Sequence, residues 1–319
     1  MVGSGHYGAF LHTGLEQLTE RDMDSFPLNR IEDIKCHPND FRLLERVPVT
    51  RADVQEMLPI ILNDKLEGEN TWSVVFLDTE TTGMNAVSDK VIELGMVRCT
   101  FSLDRKILLS IDRIFDAYED PKRQIPPEIT RLTGISDDMV KGQRFDDETV
   151  LNYFVDGPLV VAHNASFDRP FVDRRFSNLE RMPWACTQKE IDWSKLGFGG
   201  YKLEFLLQSS GYFYEAHRAC NDCLALCYLM YITPGAFESL YNSSIEATYK
   251  IEAIGAPFDC KDNLKSHGYR WDSNEKFWYI QVTGATAVTE QLSFLQGLYR
   301  QARDKVRIIE FTARERYRA

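Results

Sequence analysis

From residue 74 to residue 77 the chain reads Val-Val-Phe-Leu, an apolar run bounded by Ser73 and Asp78. β-Branched and aromatic residues in so short a run predict a strand buried on both faces. "KVIELGMVRCTF" and "ILLSIDRIFDAY" follow as two longer strands, giving three in succession with room for a meander. "DDETVLNYFV" then places Val150, Tyr153 and Phe154 at helical spacing, and "PLVVAH" is another short buried strand. Strands alternate with helices from there. The pattern predicts an α/β fold, a sheet covered by helices with its reactive groups near strand ends.

Three stretches emerge. Residues 1–70 mix turn signals with short apolar clusters, "DFRLLERV" and "VQEMLPIIL", and read as an N-terminal helical extension. Their opening, "MVGSGHYGAF", reads as partly disordered or as an expression scar. Residues 71–248 form the main domain. Residues 249–319 read as a small α+β C-terminal unit: "LKSHGYRWDSNEKFWYIQV" as a hairpin, "VTEQLSFLQGLYRQA" as a helix and "VRIIEF" as a returning strand, a ββαβ order. Tyr269, Trp271, Phe277 and Trp278 are read as that unit's own core in preference to an exposed base-stacking platform.

Composition narrows the class. A chain of 319 residues, 44% hydrophobic, buries one substantial core and a smaller appendage. No apolar run has membrane-spanning length and no leader pattern opens the chain, so no membrane partner is expected. The seven scattered cysteines suggest reduced thiols and a cytoplasmic location. The net charge of −11 divides as −6, −8 and +3 over the three stretches, so no broad basic face is encoded. A polyanionic ligand would depend on bound metal, local Arg and Lys, and the basic tail.

The first strand ends in "DTETTG", and residues two apart on a strand point the same way. Asp78 and Glu80 therefore lie side by side, a repulsive arrangement that suggests a shared proton or a divalent cation. Three readings compete: a simple turn, a phosphatase nucleophile loop of the haloacid dehalogenase type, and a two-metal phosphodiesterase. Glu80 is one methylene too long for the acid of the second reading. The third requires more carboxylates on other elements.

Two candidates follow downstream. In "VVAHNASFDRPFV", Asn164 is a suitable N-cap and Asp168 falls in the first turns of the helix it starts, where it either complements the helix dipole or meets Asp78. In "AHRACNDCLALCYLMY", Asp222 lies off an apolar helical stripe of Ala219, Cys223, Leu226, Cys227 and Met230. His217 and Asp222 are about 140° apart on a straight helix, so both face one site only if His217 precedes the helix. A zinc site from His217, Cys220, Cys223 and Cys227 is set aside, because cysteines at helical spacing are ordinarily small buried hydrophobes.

Taken in order, "DTETTG", "HNASFD" and "HRACND", with "IPPEITRLTGIS" between the first two, resemble the motifs of the DnaQ-like (DEDDh) 3′-to-5′ exonuclease family, which includes the epsilon proofreading subunit of bacterial DNA polymerase III and ribonuclease T. The resemblance covers roughly residues 72–235 and implies a ribonuclease H-like fold. It implies that Asp78 bridges two Mg²⁺ or Mn²⁺ ions, that Glu80 and Asp222 complete the site for one, and that Asp168 serves the other directly or through water. It makes His217 the general base and Thr81 a substrate contact. The substrates implied are 3′ ends of single-stranded DNA or RNA, released as nucleoside 5′-monophosphates. A polymerase or repair partner is a further expectation, and a non-catalytic scaffold on the same fold is the alternative that a complete acid set disfavours. Residues 71–248 hold every motif position, so that span alone is expected to hydrolyse a small phosphodiester if it folds.

Overall fold

Each half of the main sheet is built by a different kind of connection. The computed structural model describes residues 28–50 and 53–318. The opening stretch, with any scar or disorder in it, lies outside the described residues. The described residues up to Leu44 belong to one unit and those from Glu45 to another. In the first, the described part holds 3₁₀ turns and the short helix α1 (Ile31–Cys36).

The second unit begins with β1 (Glu45–Arg46), β2 (Ile60–Ile61), β3 (Thr71–Thr81), β4 (Val91–Ser102) and β5 (Ile107–Tyr118). The helices suggested for "DFRLLERV" and "VQEMLPIIL" are instead β1, a 3₁₀ turn and β2. Pro48 and Pro59 break any helical run there, since a proline lacks the amide donor and restricts its predecessor. Helices α2 (Pro127–Thr133), α3 (Asp137–Val140) and α4 (Asp147–Leu151) lead to β6 (Leu159–Ala162), α5 (Ala165–Arg175) and β7 (Trp184–Cys186). After α6 (Thr187–Glu190), α7 (Leu203–Ser209) and β8 (Tyr212–Phe213) come α8 (Ala219–Ile232) and α9 (Ala236–Ile245).

Six strands form one mixed sheet in the order β2-β5-β4-β3-β6-β7. Hairpins make β3, β4 and β5 antiparallel, β2 adds antiparallel to β5 from earlier in the chain, and crossovers through helices make β6 and β7 parallel to β3. β1 pairs separately with β8. β3 lies at the junction of the two halves, and its alternating side chains feed two cores. Val74 and Phe76 pack with Cys223, Leu226 and Cys227 of α8, whereas Val75 and Leu77 pack with Phe171 and Val172 of α5. α8 is buried nearly all round rather than along one stripe, because α7 and α9 cover the side turned away from the sheet. Its cysteines are core residues: Cys223 Sγ donates to the Gly95 carbonyl, and Cys227 Sγ lies 3.5 Å from Cys99 Sγ.

The remaining residues form a second sheet from β9 (Thr248–Ala253), α10 (Lys261–Ser266), β10 (Arg270–Asp272), β11 (Phe277–Thr283), α11 (Ala285–Leu298), α12 (Ala302–Lys305) and β12 (Val306–Phe311). β9 adds a strand that the expected ββαβ order omitted, and the order becomes βαββααβ. Its strands lie in the order β10-β11-β9-β12, all antiparallel. Ile251, Trp278, Tyr269 and Leu264 are core, as expected of the aromatic pair; Trp271 is half exposed at the edge, and Phe277 is buried on the opposite face.

Residues 312–318 leave this sheet and lie against the first. Trp184 N donates to the Ala313 carbonyl at 2.8 Å. Arg169, on α5 and fully buried, donates to the carbonyls of Ala313, Arg314, Arg316 and Glu180 and pairs with Asp173. Arg316 pairs with Glu190 at 2.9 Å, and Tyr317 Oη donates to the same carboxylate at 2.7 Å. The span 71–248 leaves out Ala313, Arg314, Arg316 and Tyr317, while keeping Asp173, Glu180 and Glu190. No single helix among the described residues is long and apolar enough to cross a membrane.

Candidate active site

The strand phase that sends Val74 and Phe76 toward α8 sends Asp78 and Glu80 the same way. Asp222, in the first turn of α8, meets them there. One carboxylate oxygen from each of Asp78, Glu80 and Asp222 lies within 4.8 Å of the other two. Thr79 has the opposite phase and faces α5. Its amide and hydroxyl both donate to Asp168 Oδ1, at 3.0 and 2.9 Å. Asp168 is thereby fixed by one oxygen, leaving Oδ2 for the site.

Four acids this close hold protons in the absence of a cation. Burial drives the Asp78 carboxyl well above its ordinary range, and the charges of Asp168, Asp222 and Glu80 add to the effect. Burial, then Asp222 and Glu93, lift Glu80 to about 8. Asp168 rises to about 7 by burial, opposed by its bonds from Thr79. Asp222 rises to about 6 by burial, opposed by the hydrogen bond from Tyr214. Such a set, hard oxygens only with no ammonium or guanidinium committed to them, suits a divalent cation of the magnesium or manganese kind.

His217 precedes α8, with the left-handed backbone angle φ 62°, and its ring is exposed. That conformation is uncommon for a residue with a Cβ and tends to mark functional positions. The turn is held from both sides: Asp222 accepts from Tyr214 Oη at 2.8 Å and from Arg218 N at 3.1 Å. Thr81 is buried, its hydroxyl donating to the Gly83 carbonyl at 2.6 Å.

Several contributors escaped the sequence reading. Glu93, fully buried and opposite Glu80 on β4, accepts from Ala219 N at 2.9 Å and Arg218 Nε at 3.0 Å, so it caps α8 with a charge. A lone acid inside "VIELGMV" was the available signal. Gly95, opposite Asp78, lets the α8 backbone touch the sheet: a Cβ there would lie 2.3 Å from Ala219 C. His163, from the same motif as Asp168, is half-buried, with Nδ1 bonded to Thr187 Oγ1 at 2.9 Å and its buried Nε2 without a partner among the described residues. Burial lowers its pKa to about 4, so it is a neutral ring.

Residues 75–230 match the RNase_T exonuclease family model. DNA polymerase III subunit epsilon of Treponema pallidum is 32% identical over 176 residues, which is 52% of this chain and 77% of that protein. DNA polymerase III PolC-type of Clostridium perfringens is 39% identical over 123 residues; the match spans 38% of this chain but only 8% of the much longer polymerase. Among solved structures, exonuclease X with 5′-overhanging duplex DNA has a TM-score of 0.38 at 25% identity, covering 53% of this chain and 92% of its own. The zinc-bound E. coli ExoI–ssDNA complex has a TM-score of 0.48 at 14% identity, covering 72% and 68%. With its motif strand, its mixed sheet and its epsilon relative matched over more than two thirds of that protein's length, the chain belongs to the DnaQ-like exonuclease family.

Proposed function

We propose that the chain is a 3′-to-5′ exonuclease that removes nucleoside 5′-monophosphates from single-stranded DNA or RNA by a two-metal mechanism. The observation that carries this reading is the convergence of Asp78, Glu80 and Asp222 on one point, with Asp168 beside them. Asp78, Glu80 and Asp222 would hold one Mg²⁺ or Mn²⁺, and Asp78 with Asp168 a second. Cations so placed screen the anionic phosphodiester, favour ionisation of water and stabilise the departing 3′ oxygen.

The protein's own part is positional and protolytic. His217 accepts the proton of the attacking water, a task for which a neutral imidazole is suited and a charged lysine is not. Glu93, Arg218 and Tyr214 hold the turn that carries His217 against the helix that carries Asp222. Thr81, with the backbone around it, is the contact assigned to the terminal nucleotide. The catalytic span is taken as residues 71–248, with residues 1–70 and 249–319 as flanking units and the 312–318 segment closing over α5.

The test is digestion of 5′-labelled DNA and RNA strands, single and double, with and without Mg²⁺, with the products sized. Mononucleotides released from free 3′ ends support the reading. Cleavage of a circular single strand at a comparable rate sinks it. Likeness to a polymerase subunit favours a second reading, a proofreading role beside a polymerase, for which co-purification is the measurement.

A further inference from the structure

We infer that the open face of the second sheet, with the cleft joining it to the start of α5, is a docking path for single-stranded nucleic acid several nucleotides from the bond being cut. The inference rests on the exonuclease reading of the first sheet. Its starting point is the sheet's two unlike faces. Ile251, Trp278 and Ile280 point toward α10 and α11 and are packed. The alternate positions, Lys250, Glu252, Arg270, Tyr279, Gln281 and Arg307, occupy the face no helix covers.

That face pairs rings with cations. Lys250 Nζ lies 4.9 Å from the Tyr279 ring and 5.1 Å from the Phe277 ring, and the Arg307 guanidinium lies 6.0 Å from Phe277. Glu252 holds Lys250 at 2.8 Å and Arg307 at 2.5 Å, so the one buried acid orients two cations and neutralises only part of their charge. Arg270 stands exposed beside them. Rings that accept unpaired bases, set among cations that meet the backbone phosphates, are the general means of holding single strands without regard to sequence. Charge agrees: residues 249–319 carry +3 in a chain whose total is −11, so a polyanion is repelled least here.

Continuity with the first site selects the occupant. A cleft of about 540 Å³ runs between the two sheets, lined on one side by Ser166 and Lys189 and on the other by Gln281, Thr283 and Phe311. Ser166 is two residues before Asp168 on α5, and Lys189 Nζ donates to its hydroxyl at 2.9 Å. Gln281 is two residues from Tyr279 on β11, on the same face. One end of the cleft thus lies against the start of the helix that carries Asp168, and the other against the open face of the second sheet. The bond from Arg169 to Ala313 and that from Arg316 to Glu190 fix the wall of this cleft before ligand arrives, which lowers the ordering cost of binding.

The experiment uses the full chain and two readouts. In EDTA, anisotropy measures binding of 5′-fluorescein deoxythymidine and uridine oligomers of about 4 and roughly 20 nucleotides, bracketing the contact lengths usual for such surfaces. With Mn²⁺, hydrolysis of the p-nitrophenyl ester of thymidine 5′-monophosphate measures the first site alone. Tyr279→Ala should weaken the longer strand by about 5-fold or more, the loss of one stacked base. Exposed Gln281→Glu should weaken it similarly by charge, without risk to the fold. Neither should alter the shorter strand or the ester more than about 2-fold, and Arg270→Glu should flatten the salt dependence. Long-strand affinity unchanged in both Tyr279→Ala and Gln281→Glu overturns the inference, as does wild-type protein that binds both lengths equally. No ester or strand hydrolysis by the wild type, with the length effect intact, would instead remove the exonuclease reading and leave the sheet as a binding surface. The deoxythymidine and uridine arms show which strand the path prefers.

Discussion

Replacing Gly95 by alanine tests whether the close approach of α8 to the sheet sets the active-site geometry. The added Cβ would lie 2.3 Å from Ala219 C, 2.4 Å from Cys220 N and 2.5 Å from Ala219 O. All three are backbone atoms at the start of a buried helix, so no side chain can rotate aside. Restoring ordinary contact requires about 1 Å of separation, and overpacking of this kind costs about 1–3 kcal/mol. In a unit of this size the melting temperature should fall by about 2–10 °C. The chemical consequence is larger. Asp222 and the turn bearing His217 move with the helix while Asp78 stays with the strand, and an error of about 1 Å in such an arrangement costs on the order of 10²-fold in turnover. The assay is release of nucleotides from a 5′-labelled strand in saturating Mn²⁺, beside thermal unfolding. Gly297→Ala, in the exposed last turn of α11 with nothing within 4 Å of its Cβ, is the control and should hold or raise stability. A Gly95→Ala protein with wild-type turnover and melting temperature would refute the argument.

Three further outcomes are expected. Glu80, Asp168 and Asp222 have folded-state pKa values raised to about 8, 7 and 6, so the metal-free fold binds extra protons. Their stabilising effect is complete below the unfolded values near 4 and is lost as pH rises through 6 to 8. Melting in EDTA should therefore drop across that window and recover on adding Mn²⁺, and a flat profile in EDTA counts against a crowded acid site. Arg169→Met should destabilise by about 3–5 kcal/mol, the scale for breaking a buried charge network, and removing residues 312–318 should cause an overlapping, non-additive loss; chemical unfolding of the single and combined variants decides, with simple additivity contradicting the clasp. His217→Ala should still bind Mn²⁺ by calorimetry while turnover falls by roughly 10² to 10⁴, the usual scale for a general base. Loss of metal as complete as in Asp78→Ala would make His217 a ligand or a structural residue instead.

What could be read from the sequence was whatever is local. The two-residue spacing of Asp78 and Glu80 gives their common direction, and the placement of Asp168 and Asp222 just after helix starts follows from short-range pattern. His217 could be put ahead of its helix because no straight helix would let it face Asp222. Contacts between distant segments left weaker traces. Gly95 looks like any strand glycine until α8 is laid on it, and Glu93 takes its meaning from an amide 126 positions later. β9 was missed because "TYKIEA" follows a helix directly and alternates apolar with charged residues whose pairing partners lie on β11 and β12. Arg169 directly follows a recognised motif, yet three of its acceptors are backbone carbonyls 144 to 147 residues away, which no composition reveals.

That separation has a bearing on how the protein is made. A ribosome delivers Arg169 long before Ala313, Arg314 and Arg316, so for much of synthesis its guanidinium has only Asp173 and the Glu180 carbonyl to donate to. The acceptors that residues 313–316 offer to α5 and β7 come after β12 in the chain. A chain ending before Ala313 thus carries every motif acid, yet its buried Arg169 lacks three carbonyl acceptors.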